Sequence, residues 1–183
     1  MVSTRTMQKP VLETQTKNSA WPIPREHGGW AMLIVPLLIG WMVGARQGRD
    51  HLAAILFTLA ALAVYLTRPA LLNGLRWRTR PPRQNDVRRM ARWSLAWGTL
   101  ALGTTSLLLV GWQRWLLLLI LAPAPILLGL WLLLALRRQQ MSEVAELAGI
   151  ASLGLGAPAA AFAVSGQWQA SQYLLLWFLC FAY

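Results

Sequence analysis

Long apolar runs alternate with short charged connections along this chain, and the alternation predicts six helical crossings of a lipid bilayer. The runs span about 28–45, 51–75, 93–112, 115–136 and 146–165, with a sixth from 170 onward. Each complete run is close to the ~20 residues that a helix needs to cross a hydrocarbon core about 30 Å thick. The expected fold class is therefore all-α, a polytopic transmembrane helix bundle. The first 20 residues differ in kind: they are polar, with Arg5, Lys9, Glu13 and Lys17 spread through them and no apolar h-region. They read as a disordered cytoplasmic tail rather than a cleavable signal peptide. Residues 21–183 then form one transmembrane domain. The chain stops at Phe181-Ala182-Tyr183 with no polar residue to close the last helix, so the expectation is a fragment of a longer protein.

Composition agrees. Hydrophobic residues make up 56% of the 183 positions and charged residues 13%, against roughly 25% charged in soluble domains. A single cysteine, Cys180, rules out an internal disulfide. The net charge of +11 raises the question of nucleic acid, but it is concentrated in one connection. That connection runs from Arg76 through Arg78, Arg80 and Arg83 to Arg88, Arg89 and Arg92. No recognition motif accompanies it, so nucleic acid is not an expected partner. The positive-inside rule accounts for it, with membrane lipids, anionic head groups included, as partners. With the N-terminus inside, the residues before the first crossing (Arg25 among them), the 76–92 loop and the 137–145 loop hold thirteen Lys and Arg; the other side holds Arg46, Arg49 and Arg114. Tryptophans mark both boundaries: Trp21, Trp77 and Trp93 inside, Trp41, Trp112, Trp115 and Trp168 outside.

Helices in lipid associate where backbones approach closely. Ala148, Ser152, Gly156 and Ala160 form a small-residue ridge on the fifth crossing, and Gly40 and Gly44 share that spacing on the first. Both should be central, with the leucine-rich fourth crossing facing lipid. Pro36, Pro123, Pro125 and Pro158 should kink or loosen their helices.

Ionisable groups inside the apolar layer are the best functional leads, because they cost several kcal/mol (on the order of 3 in insertion scales) unless partnered. Arg68 lies less than ~10 Å inside the inner boundary at Asn73-Gly74, within reach of snorkelling. Glu26 opens the first crossing and complements its dipole. His27 precedes Gly28 and Gly29, which weaken a helix start and permit close approach. Glu143 and Glu146 open the fifth crossing on one helical face. The topology brings these starts and ends to one side, which predicts a cytoplasm-facing polar cavity formed by Glu26, His27, Arg68, Asn73 and Glu146. In it Arg68 pairs with Glu26 or Glu146, or holds an anionic head group. His51 beside Asp50 reads as a solvated helix start on the opposite face. No Cys, His or carboxylate grouping has metal-site spacing, so neither metal nor cofactor is expected.

Pro24-Arg25-Glu26-His27-Gly28-Gly29-Trp30-Ala31-Met32-Leu33-Ile34-Val35-Pro36 resembles the opening signature of the YwiC-like integral membrane proteins. Glu146 to Ala151 and Gly156 to Ala160 are similar to that family's second segment. The resemblance covers about Trp21 to the end and implies a bacterial inner-membrane protein with Glu26, His27 and Glu146 at motif positions. The family's activity is unassigned, so no catalytic residue is carried over and whether the chain is an enzyme stays open. A more distant likeness is to UbiA-type intramembrane prenyltransferases, through Asn85-Asp86 in the loop after the second crossing. Their Mg²⁺-diphosphate site needs several carboxylates, and Val87-Arg88-Arg89-Met90 supplies none. The leading expectation is a membrane protein whose polar cavity binds a lipid-like or anionic small molecule. A divergent prenyltransferase is the alternative. A small-molecule transporter ranks third, because the two halves show no repeat.

Overall fold

The computed structural model describes residues 27–48, 50–76, 84–137 and 142–182. They form eight helices and, among the described residues, no strand: α1 (His27–Ala45), α2 (His51–Arg76), α3 (Gln84–Val110), α4 (Leu116–Leu121), α5 (Pro123–Leu136), α6 (Glu143–Gly154), α7 (Gly156–Ser165) and α8 (Ala170–Ala182). The expected tail, 1–20, lies outside the described residues. α4 with α5, and α6 with α7, each make one interrupted rod. The joints at Ala122 and Leu155 keep right-handed helical angles, so direction is preserved while the hydrogen-bond ladder is broken. Proline explains both. Pro123 is the first residue of α5 and Pro158 sits in the first turn of α7, where a missing N–H leaves no bond unmade. Pro36 lies inside α1, which is continuous through it.

Among the described residues four stretches are long and apolar enough to cross a membrane: His51–Leu71, Val87–Val110, Leu116–Leu134 and Glu143–Ser165. Gly29–Ala45 and Ala170–Ala182 are apolar but shorter. The chain is a transmembrane protein. The basic connection is shorter than the sequence suggested, because α3 begins at Gln84, nine residues before Trp93. Apolarity ends at the membrane boundary, but helix propensity does not, and Arg, Met and Ala continue a helix readily in water.

α7 is the centre of the bundle. Every residue from Ala157 to Val164 is buried, among α1, α2, α4, α6 and α8. Such enclosure needs small side chains, and six of those eight are alanine or proline. α1 and the turn that follows it lie along α7 through three glycines spaced four residues apart. A Cβ on Gly40 would overlap the carbonyl of Ala157; on Gly44 it would lie 2.5 Å from the Ala161 carbonyl oxygen; on Gly48, 2.8 Å from Ser165 Cα. The partner ridge includes Ala157, Ala161 and Ser165 together with Ala160, whose Cβ would lie 2.9 Å from a Cβ on Gly40. The Glu143–Ser165 rod is mostly buried, whereas α3, which packs chiefly on α2, is almost wholly uncovered. The 116–134 rod is also largely exposed, as its leucine content implied.

Candidate functional site

The start of α1, the end of α2, the start of α3 and the facing parts of α5 and α6 converge at one end of the bundle. Trp30 of α1 meets Tyr65 of α2 edge-on, with ring centroids 5.2 Å apart. One turn later Arg68, inside the apolar span of α2, lays its guanidinium over the Trp131 ring of α5, 3.7 Å from the centroid. A cation so placed gains about 2 kcal/mol where water is excluded. Trp131 in turn borders α6: a Cβ on Gly149 would touch its ring at 3.9 Å. Trp93 of α3 donates its indole N–H to the Leu66 carbonyl at 2.9 Å, close to Pro69, whose ring disturbs the local ladder.

Of the five residues expected to form the polar cavity, Arg68 is therefore seated between helices, and its aromatic partner was hidden in the leucine-rich fourth crossing. Glu146 lies one turn before Gly149 on α6, so it is at the same end, but it is exposed and makes no ion pair with Arg68. Ser142 caps that helix by accepting the Ala145 N–H at 3.3 Å, and both glutamates fall in its first turn, favourable to its dipole. Glu26 lies outside the described residues, as do the side chains of His27 and Asn73. Asn85 is exposed in the first turn of α3, and the Asp86 side chain is outside the described set.

The opposite end holds a polar network that sequence reasoning missed. Arg114 donates to Asp50 at 3.1 Å, with side chains 17% and 31% exposed, and Trp112 donates its indole N–H to the other Asp50 oxygen at 3.0 Å. Gln113 sits in the left-handed region (φ 54°), which turns Arg114 back into the bundle, its amide reaching the Leu108 carbonyl at 3.2 Å. Gln47 donates to Gln172 at 2.7 Å and to Gln169 at 3.4 Å. Tyr173 donates to the Gln167 carbonyl and lies 3.2 Å from the Ser165 hydroxyl. Three connections (46–50, 111–115 and 166–169) are thereby tied together. His51 is exposed, as expected of a solvated helix start, and accepts from Trp41 at 3.2 Å. A signal existed in the isolated charges Asp50 and Arg114, which lie in different connections on one predicted side.

Gly166 makes that network possible. It ends α7 at φ +67°, and a Cβ there would occupy the place of the Arg114 guanidinium. Gly166→Ala should cost about 1–2 kcal/mol for the left-handed backbone alone, with more from displacing Arg114. Thermal unfolding in detergent, followed by alkylation of Cys180 (the one cysteine of the chain), would register it as a lower midpoint.

A cleft of about 720 Å³ opens between the α4–α5 rod and α6 to α8, walled by Ile120, Leu127, Ala148, Leu155, Leu174 and Phe181 among others. Two of its aromatic polar atoms are satisfied within the protein: Trp177 donates to the Ala151 carbonyl at 3.1 Å, and Tyr173 is bonded as above. The cleft can take hydrocarbon and offers little to a polar group.

No curated protein and no solved structure matches this chain. A family profile described as YwiC-like protein matches residues 23–161, a range that includes Glu26, His27, Arg68, Asn73 and Glu146 and stops short of α8. The match takes in well over half of the 183 residues, and the chain belongs to the YwiC-like family.

Proposed function

We propose that this protein is a multi-pass component of the bacterial inner membrane, its six rods crossing with the N-terminus cytoplasmic, and that Glu26, His27, Arg68, Asn73 and Glu146 line a cytoplasm-facing site for a lipid-like or anionic small molecule. The observation that carries the reading is Arg68, a guanidinium held on the Trp131 ring within a membrane-spanning helix. Intramembrane cations are costly and commonly mark a ligand path or counter-ion. The apolar cleft beside α5 and α6 supports a ligand with a hydrocarbon part. The Asp50–Arg114 network ties the connections at the far end, which favours access from one side over a path through the membrane. No observation favours prenyl transfer.

The test is mass spectrometry of the gently extracted protein beside Arg68→Ala and Arg68→Lys. Wild type should carry an amphiphile of defined mass. The alanine variant should lose it, and the lysine variant should retain it weakly, since lysine keeps the charge without the planar stack. Identical adducts in all three would leave Arg68 a structural residue and remove the reading.

A further inference from the structure

α3 presents to its surroundings a face that α2 does not cover. At about 100° per residue, Asn85, Arg88, Arg89 and Arg92 fall within an arc of about 100°, and all four are exposed. Asp86 falls outside that arc. Among the described residues none of the three arginines has an acidic or aromatic partner. Arg88 and Arg92, one turn apart, repel each other, so the face carries concentrated positive charge that no acidic side chain among the described residues pairs with. It stands where the apolar span begins, marked by Trp93 and Trp97 packed edge-on at 5.6 Å. The same arc continues into the span as Ala96, Thr99, Gly103 and Ser106, also exposed. A Cβ at Gly103 would meet nothing within 4 Å. Exposed Leu95 and Leu102 flank this strip on one side, and Leu100 and Leu107 on the other.

We propose that this face binds an anionic phospholipid, the phosphate on Arg88, Arg89 and Arg92 and one acyl chain along Ala96 to Ser106. Charge selects the occupant. Guanidinium groups match a phosphodiester in geometry and sign, and they sit at head-group height on the helix whose apolar part runs on beneath them. The site is separate from that of Arg68, so Arg68→Ala should leave it intact.

The experiment titrates phosphatidylglycerol, and separately phosphatidylcholine of the same acyl chains, into the detergent-solubilised protein. It reads the lipid concentration that half-maximally protects Cys180 from alkylation near the unfolding midpoint. The Arg88→Gln/Arg89→Gln/Arg92→Gln variant should need about 100-fold more phosphatidylglycerol, from about fivefold for each arginine. Its midpoint without lipid should be unchanged, because all three side chains are exposed. Gly103→Leu fills the strip and leaves the charges alone; it should raise the requirement at least fivefold and serves if the triple variant does not fold. A rise below tenfold in the triple variant, or below fivefold in Gly103→Leu when that alone folds, overturns the proposal. So does equal protection of the wild type by phosphatidylcholine. A dimer abolished by Gly103→Leu, with phosphatidylglycerol protection unaltered, would assign the strip to a second copy of the chain and overturn it too.

Discussion

Gly44→Leu should separate α1 from α7 and unfold the centre of the bundle. The Cβ alone would lie 2.5 Å from the Ala161 carbonyl oxygen and 2.9 Å from Ala161 Cα, both backbone atoms that cannot swing aside. Overpacking a rigid contact costs about 1–3 kcal/mol when side chains absorb it. Here a helix must move, so the loss should exceed ~3 kcal/mol, the top of that range. Nothing compensates in lipid, where helices hold by close contact rather than by escape from water. Alkylation of Cys180 during a thermal ramp would show a midpoint far below wild type or no folded fraction. Gly103→Leu, on the uncovered face of α3, is the internal control and should stay within about 0.5 kcal/mol of wild type in lipid-free detergent. Equal midpoints for the two variants would mean that α1 and α7 are not packed through this ridge.

Asp50→Ala should produce the second largest loss, about 2 kcal/mol. Full burial of an orphaned charge costs about 3–5 kcal/mol, and the partial exposure of Arg114 and Asp50 reduces that. The variant strips two donors at once, the Arg114 guanidinium and the Trp112 indole. Arg114→Leu removes the charge as well as the bond, so Asp50→Ala/Arg114→Leu should lose less than the two single changes together. A coupling of about 0.5–3 kcal/mol is expected for groups in direct contact. Additive losses would show that the connections are held by other contacts, such as Gln47 with Gln172.

The five residues of the proposed ligand site were readable only as a side of the membrane. Their charge and their place at helix ends put them on one boundary, but the side chain that seats Arg68 is Trp131, one aromatic in a run of leucines. No spacing rule links positions 68 and 131, because they meet across helices whose rotation the sequence does not express. The Asp50–Arg114 pair escaped notice for the same reason. Each charge alone resembled an ordinary solvated turn residue, and only the left-handed Gln113 and Gly166 make room for them to meet.

By itself the sequence determined where the helices are and that they belong in lipid, since ~20 apolar residues in a row have one stable solution where backbone groups must bond internally. It also marked the first and fifth crossings as close-packing helices, through Gly40 and Gly44 and the small residues Ala148, Ser152, Gly156 and Ala160. The tertiary structure decided the contact register, Gly40 on Ala157 and Ala160 and Gly44 on Ala161, and with it which face of each helix meets a neighbour. It likewise decided that α3 keeps a whole face uncovered. The physical reason is that lipid tails reward every apolar face alike. Hydrophobicity can therefore place a helix in the membrane, while backbone fit and a few polar contacts set its rotation.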